Sequence, residues 1–464
     1  MSARRRLRRC GAIACACALV AGCGALRPAP PAAAVDEPPV QWQRTGGDGV
    51  VDPQWWRAFG DPVLEAYVER ALERNTDLRA AMARVDEARA ASKAAHGAEL
   101  PELDFGAGGA RSQSISDVTL RPYLSTGWKS EFEASYELDL RGRLSALSRA
   151  SDASLEATRA AHDATALAVA SATASAYINL LALDERLALA RRTLEARQGA
   201  LDVARARQQS GHTSAFELAQ AQAEYNSTAG TIPQLELAAD RQAHALAALL
   251  DDTPQDIQRG LGLLALLAPP VPALGVPSSL LRRRPDIAAA ESQVAASDAQ
   301  LAAARAQMLP AVQLSAAFGK VGSTVFRTGP FTIWSLGASV LAPIFNGGRL
   351  EAQADVAASR RDEALLSYRK TVVNAFVEVE DQLAALDHLR EQARQAEEQR
   401  VAVAEALRIA RNRYREGYAS YLEELDAQRT LFTTEQTVAQ LRADVLTAHV
   451  NLYRALGGGW TAQP

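Results

Sequence analysis

Cysteine is absent from all but the start of this 464-residue chain, where four occur, at Cys10, Cys15, Cys17 and Cys23. The rest of the chain therefore cannot form a disulfide framework or a cysteine-ligated metal site. Aromatic residues are also scarce, at 6%, and there are only 3 methionines, although 48% of all residues are hydrophobic. A composition dominated by Ala, Leu, Val and Ile favours long helices over a β-rich core.

The chain also lacks a strong excess of charge of either sign. It has 50 Lys and Arg against 54 Asp and Glu, a net charge of −4, which argues against a nucleic-acid partner. It has no phosphate-binding loop and no nucleophile motif, and its 6 histidines show no metal-ligand spacing. The acidic group in residues 378–381 lies inside a predicted long helix, where charges normally face solvent or another helix. The sequence thus predicts no enzyme, no catalytic residue, no metal and no cofactor.

The N-terminus has the pattern of an export signal. Five arginines lie within residues 4–9, and an apolar run follows at 11–22, too short to cross a bilayer as a mature helix. The run ends Leu19-Val20-Ala21-Gly22-Cys23, which resembles a bacterial lipoprotein signal, in which the cysteine is acylated and becomes the new N-terminus. An ordinary signal peptide with an incidental cysteine is the alternative. Removal of residues 1–22 takes away five arginines and no acid, so the exported chain has a net charge of −9.

The rest of the chain contains an internal repeat. Seven residues around Gly211 recur 206 positions later around Gly417. The predicted organisation is a signal peptide at 1–22, a lipid anchor and Pro/Ala-rich linker at 23–54, a first structural repeat at 55–260, an inter-repeat linker at 261–285, a second repeat at 286–456 and a tail at 457–464.

Each repeat contains a stretch of nearly 70 residues without proline, at 142–211 and 348–417. As a helix, such a stretch would be about 100 Å long. A further helix is predicted after each glycine turn, at 214–250 and 420–456, with Ser214 and Ser420 placed as caps. Each long helix therefore folds back as a coiled-coil hairpin, and two short helices end to end match the length of one long helix.

Alternating segments predict four strands per chain of about ten residues each. Residues 131–140 show the clearest case, with one apolar and one acidic face and aromatic residues near the strand ends. These features are typical of a transmembrane β-barrel, and four strands close only in an oligomer, such as a trimer with twelve strands. A small soluble sheet that caps a helical bundle is the alternative.

Several motifs in order resemble the TolC family of outer-membrane efflux ducts, in its lipoprotein branch of the NodT and OprM type. They are Trp55-Trp56 with Phe59-Gly60-Asp61-Pro62, then the segments at 281–287, 343–349, 377–381, 425–429 and 455–460. The resemblance implies a mainly α fold with a small transmembrane β part: a homotrimer with a periplasmic α-barrel and a β-barrel in the outer membrane. It also implies a periplasmic adaptor (membrane fusion protein) and an inner-membrane pump as partners, so that the chain would be a passive exit duct. The rival interpretation is a non-conducting coiled-coil lipoprotein that tethers the periplasm.

The tip of the hairpins carries the predicted site. Residues Gly211, Ser214, Gly417 and Ser420 are expected at the adaptor-docking tip, farthest from the strands. Alternatively, the glycines only end helices. By resemblance, Glu423 and Asp426 would form an acidic ring that constricts the pore, with Glu217 free to pair with Tyr414, Arg413 or Arg415 as a latch; the alternative is a solvated acidic helix face. The exported compound is not predicted, so drugs, aromatic acids, metals and siderophores all remain open.

Overall fold

The computed structural model describes residues 39–44, 46–47, 49, 51–115, 120–324 and 329–461. The predicted signal peptide and Cys23 lie outside these residues. The helices are, in chain order, α1 (Pro62–Arg74), α2 (Thr76–Gly97), α3 (Arg143–Gln209), α4 (Ala215–Leu249), α5 (Pro285–Ala306), α6 (Arg349–Arg415) and α7 (Tyr421–Ala455). The strands are β1 (Glu102–Ile115), β2 (Pro122–Leu138), β3 (Ala311–Ser323) and β4 (Phe331–Leu341).

The two long helices, α3 and α6, have 67 residues each, as the proline-free stretches predict. Each begins after a glycine in the left-handed conformation, Gly142 and Gly348, where other residues are strained. Ser214 caps α4 by accepting a hydrogen bond from the backbone N–H of Glu217. Ser420 occupies the predicted N-cap position of α7, but its side chain accepts no capping hydrogen bond; the backbone N–H of Glu423 donates to the Ser420 carbonyl at 3.2 Å instead.

The helices form four parallel columns. Helix α3 packs against α2 and α4 on one side and against α5 and α7 on the other, whereas α6 packs chiefly against α5 and α7. The short helices therefore pair up as two stacks, α2 with α4 and α5 with α7, which alternate with the long helices. Helix α6 is at an edge, and its unpacked side exposes six aliphatic residues: Val356, Leu366, Val373, Val377, Val401 and Ile409.

The four strands form one antiparallel sheet in the order β1-β2-β3-β4. The first three strands are longer than the predicted ten or so residues, at 14, 17 and 13, whereas β4 has 11. The ladder of β1 and β2 continues to Ile115 and Pro122, after the apolar alternation ends. The register places four aromatic residues opposite one another in one row across the sheet, at Phe105, Phe132, Phe318 and Trp334.

The main core lies where the start of the first repeat and the inter-repeat linker pack on α3, α4 and α7. Trp55 and Phe59, in a short 3-10 helix, are buried there together with Tyr177 of α3. The Asp61 carboxylate caps α1 by accepting from the Val63 N–H at 2.8 Å, and it also accepts from the Tyr177 hydroxyl at 2.8 Å. The first family-like motif is therefore explained by packing. Most of the apolar stretch of α3 that is long enough to span a membrane is likewise buried, which is typical of a core helix.

A second motif cluster joins the two ends of the second repeat. The Arg284 guanidinium donates to Asp286, to Glu378 at 2.7 Å and to the carbonyl of Ala455 at 2.9 Å. Arg454 also donates to Glu378, at 3.0 Å. The acidic group that the sequence contains at 378–381 thus has a structural partner in the motif at 281–287.

The segment before the core runs along the edge helix α6. The Trp42 indole donates to the carbonyl of Gly275 at 3.1 Å and lies 5.9 Å from the Phe376 ring. The backbone N–H of Gln43 donates to Glu380 of α6 at 2.7 Å. This extended segment is therefore held on the middle of α6.

Candidate functional site

Each hairpin turn contains a glycine because the backbone there has a positive φ. Gly211 and Gly417 have φ of 76° and 79°, and no atom lies within 4 Å of the position that a Cβ would take. In each turn a backbone N–H bonds back to the last turn of the long helix: His212 to the Arg207 carbonyl at 2.9 Å and Tyr418 to the Arg413 carbonyl at 2.8 Å. The turns are thus well-formed helix ends with open space around them.

The surface around the turns includes three exposed apolar side chains. Phe216 of the first hairpin is 70% exposed, and Tyr418 and Leu422 of the second are 79% and 53% exposed. Ser214 caps α4, and Ser420 precedes α7. Exposed aromatic and aliphatic side chains grouped at one end are typical of a protein-interaction surface.

The two hairpins contact each other near the tip. A small apolar cluster brings together Leu201 and Ala204 of α3, Ala221 of α4, and Tyr421 and Leu425 of α7. The second hairpin therefore lies against the first, rather than standing apart from it as a separate arm.

Glu217 is bound across this contact. The Tyr414 hydroxyl donates to one of its carboxylate oxygens, and the Thr213 hydroxyl donates to the other. The Arg207 guanidinium lies over the Tyr414 ring, 4.7 Å from the centroid. Burial and the Glu217 carboxylate raise the pKa of Tyr414 to about 12, so the phenol stays protonated as the donor. Of the three latch partners named from the sequence, Tyr414 is the one that the structure brings to Glu217.

The other two named partners lie elsewhere. Arg413 forms an ion pair with Glu423 at 3.1 Å, within its own hairpin. No bond between Arg415 and Glu217 is present among the residues that the structure describes. Arg413 reaches Glu423 because the turn at Gly417 brings the first turn of α7 beside the last turn of α6.

The three acidic residues after the second turn have different environments. Glu423 is paired with Arg413, and Glu424 is buried, with Arg411 at 3.2 Å and Gln428 as partners. Asp426 is exposed. Glu423 and Asp426, which the sequence places on one helix face, therefore differ: Glu423 is in an ion pair with Arg413, whereas Asp426 is exposed and interacts electrostatically with Arg429.

A buried ionic group, which the sequence interpretation missed, lies deeper between the hairpins. Glu224 of α4 accepts from Arg197 of α3 at 2.9 Å and from Nε of Arg429 of α7 at 2.7 Å. Arg197 and Glu224 are only 5% and 7% exposed, and burial lowers the pKa of Arg197. Arg429 ends the motif at 425–429, which was the one signal in the sequence that pointed to this group.

The sheet has two different faces. One face is apolar and exposed, and it includes the aromatic row at Phe105, Phe132, Phe318 and Trp334. The other face carries five acidic residues on β1 and β2, at Glu102, Asp104, Glu131, Glu133 and Glu137. An exposed apolar face opposite a polar one is what a membrane-inserted barrel wall requires. Across the described ranges, no group of three His, Cys, Asp or Glu side chains is placed to hold a metal ion.

Comparison with known proteins identifies the family. A family model described as outer membrane efflux protein matches residues 67–251 and 276–458. The pyoverdine export outer membrane protein OpmQ of Pseudomonas putida is 36% identical over 446 residues, covering 94% of each chain. The toluene efflux pump outer membrane protein TtgC of Pseudomonas putida is 31% identical, covering 94% of this chain and 91% of its own. The open state of the MtrE outer membrane channel of Neisseria gonorrhoeae superposes with a TM-score of 0.78 at 30% identity, covering 91% of this chain and 97% of that one.

These matches extend over both repeats, the helical columns and the sheet. The prediction of a mainly α fold with a small membrane-inserted β part is confirmed, and so are the predicted outer-membrane location and the role in efflux. The chain belongs to the outer membrane efflux protein family, and it is an outer-membrane channel of an efflux system.

Proposed function

We propose that three copies of this chain close into one duct that leads from the periplasm to the exterior. The supporting observation is that the described part of one chain has two open edges in each layer: β1 and β4 at the sheet, and α6 and the stack of α2 and α4 in the helical columns. An open sheet edge is not tolerated in lipid, so another copy must cover it. A closed cyclic trimer would contain twelve strands and twelve helical columns, with an inner diameter of about 25 to 30 Å for columns about 10 Å apart.

The tip would be the docking surface for the rest of the efflux system. In this proposal a periplasmic adaptor contacts the two turns around Gly211, Ser214, Gly417 and Ser420, and an inner-membrane pump supplies the energy. The exposed Phe216 and Tyr418 beside these turns support an apolar docking surface. The duct itself would conduct passively.

The same tip would form the gate of the resting channel. The bond from Tyr414 to Glu217 holds the second hairpin against the first, and this contact would be the latch. Asp426, with Glu423 beside it, would project acidic groups into the aperture in threefold repetition, which favours cations. The Arg413 ion pair with Glu423 supports a larger share for Asp426 in this ring.

The cargo would be chosen by the pump. Relatives of similar identity carry names as different as pyoverdine export and toluene efflux. A wide duct that selects little is consistent with such diversity.

Export and acylation belong to the same proposal. Residues 1–22 would be removed as a signal peptide, and the chain would be acylated at Cys23, followed by a linker up to residue 54 and by the two repeats with their linker at 261–285. Incorporation of a fatty-acid label into the wild type but not into Cys23→Ala would support this part.

A reconstitution experiment distinguishes the duct from a structural tether. We expect the purified protein to run as a heat-sensitive trimer in detergent and to give single-channel steps in planar bilayers. The Cys23→Ala variant lacks the lipid, so it tests whether the sheet alone makes the protein dependent on detergent. We expect this variant to need detergent as well. A water-soluble Cys23→Ala monomer without conductance would contradict the duct and support the tether.

A further inference from the structure

The buried ionic group at the tip links three helices of both hairpins. Arg197 and Glu224 belong to α3 and α4 of the first hairpin, and Arg429 belongs to α7 of the second. Glu224 lies seven residues beyond Glu217 on α4, about 10 Å farther from the turn. The contact is thus separate from the bond between Tyr414 and Glu217.

We propose that Arg429 is a second positioning residue of the gate, which holds α7 against the first hairpin through the carboxylate of Glu224. This inference rests on the proposed gate and adds a contact to it. We call the contact between Arg429 and Glu224 the inner tie. Both Nε and a terminal nitrogen of Arg429 reach the same carboxylate oxygen of Glu224, so the hydrogen bonds are charge-assisted.

The inner tie can open without leaving a buried charge unpaired. Arg197 binds the other carboxylate oxygen of Glu224 at 2.9 Å and also donates to the Glu224 carbonyl at 3.0 Å. Both of these groups belong to the first hairpin, so their pairing survives when α7 moves away. The Arg429 side chain is 51% exposed and would return to water. Removing one partner of a fully buried pair is costly, and this arrangement avoids that cost.

A second contact joins Arg197 to α7. Its guanidinium lies 5.7 Å from the ring centroid of Phe432, one turn beyond Arg429. The Arg197 Nε is buried without a hydrogen-bond partner, so the group is held by few bonds besides those to Glu224 and Thr228. Arg197 therefore binds Glu224 within the first hairpin and also contacts the Phe432 ring of the second hairpin.

The inner tie is not a product of the internal repeat. The positions 206 residues away are Val403 for Arg197, Thr430 for Glu224 and Ala223 for Arg429. None of these side chains could form the same group between other helices. The contact therefore belongs to the junction between the two hairpins, where relative movement would open the pore.

The test compares Arg429→Met with Arg408→Met in single-channel recordings of the reconstituted full chain. Arg408 is a matched control, because it is exposed on α6 and its ion pair with Glu405, at 2.6 Å, lies within one helix. We expect the open probability of Arg429→Met to rise at least about fivefold, since each trimer loses three charge-assisted contacts. Arg429→Lys keeps the charge and should recover part of the closed state, whereas Arg408→Met should match the wild type.

Hydrogen exchange of the peptide 421–432 gives a readout that needs no conductance. We expect faster exchange in Arg429→Met than in Arg408→Met, with unchanged trimer yield. Faster exchange at an unchanged open probability in a conducting channel would show a merely structural role and overturn the proposal. An open probability equal in the two variants would overturn it as well.

The same pair of measurements separates this inference from the duct itself. If neither the wild type nor the Tyr414→Phe and Arg429→Met variants conduct, the proposed function fails. The inner tie is then judged by hydrogen exchange alone: a difference between the two variants supports it as a contact between hairpins, and equal exchange contradicts it.

Discussion

The Tyr414 hydroxyl donates a hydrogen bond to the Glu217 carboxylate, which lies 197 residues earlier in the chain and in the other hairpin. Both residues lie within one turn or so of a hairpin tip, Tyr414 before Gly417 and Glu217 after Gly211. A single bond here therefore links the ends of two rods about 100 Å long, where a small change in angle produces the largest displacement.

Replacement of Tyr414 by phenylalanine should increase the open probability of the channel severalfold. The substitution removes the donor and leaves the ring over Arg207, so the apolar cluster is kept. Single-channel recording measures the effect. Tyr418→Phe is the control, because Tyr418 directly follows Gly417 in the same hairpin and is exposed. Equal opening in the two variants would mean that the latch does not hold the gate.

Stability should fall as the pH drops from about 6.5 toward 4 because of His449. This histidine is fully buried, and burial, then Arg390 and Arg442, lowers its pKa to about 4. His449 is protonated below about pH 6.5 in the unfolded chain but only below about pH 4 in the folded chain. The free energy of unfolding therefore decreases by about 3 kcal/mol per chain as the pH falls to 4.

The measurement is the melting temperature of the trimer between pH 7 and pH 4. Arg390 donates to Nε2 of His449 at 3.0 Å, and a glutamine oxygen can accept the same bond. The His449→Gln variant should therefore show a shallower decline with pH. An identical decline in wild type and variant would assign the acid sensitivity to other groups.

Loss of Arg284 should destabilise the folded chain by about 1 to 3 kcal/mol, because the Ala455 carbonyl loses its charged donor and Glu378 keeps only Arg454 as a cationic partner. Thermal unfolding of Arg284→Ala measures this. Arg282→Ala is the matched control, since Arg282 belongs to the same motif but is exposed. Similar melting temperatures for the two variants would contradict the structural role of the motif.

Substitution of Gly211 or Gly417 by valine should weaken adaptor binding while trimer yield stays the same. The cost arises from the positive φ, about 1 to 2 kcal/mol for a residue with a Cβ, since the space around both glycines is open. Co-purification with the native adaptor from the source cells is the measurement, and Gly199→Val in α3, where a Cβ also meets no atom, is a control. Normal recovery of adaptor by both tip variants would contradict docking at the turns.

The sequence predicts the helical part well because local signals determine it. The absence of proline between two glycines predicts the first and last residues of α3 and α6 to within two positions. The start of β2 at Pro122 is not predicted, because residues there no longer alternate and are held by ladder bonds to β1. The helix predicted at 214–250 runs through Pro233, and α4 keeps this proline in its interior.

At the candidate site, prediction from the sequence is limited because the contacts depend on how one hairpin packs on the other. The latch bond from Tyr414 to Glu217 could be named as one of three possibilities, whereas the pairing of Arg413 with Glu423 depends on how the Gly417 turn is oriented. The group of Arg197, Glu224 and Arg429 requires three helices from both repeats to meet, and nothing in their spacing along the chain encodes that meeting.

The N-terminal segment has a mechanical consequence. Trp42 and Gln43 fasten it to the Gly275 carbonyl and to Glu380 of α6, and Arg44 adds an ion pair with Asp387 at 3.4 Å. Any tension transmitted along the preceding residues enters the molecule at the middle of its edge helix. The load is thus borne by α6, one of the two edge columns, far from the turns and from the sheet, so pulling on the chain end would strain the contact between copies before it disturbed either end of the helical columns.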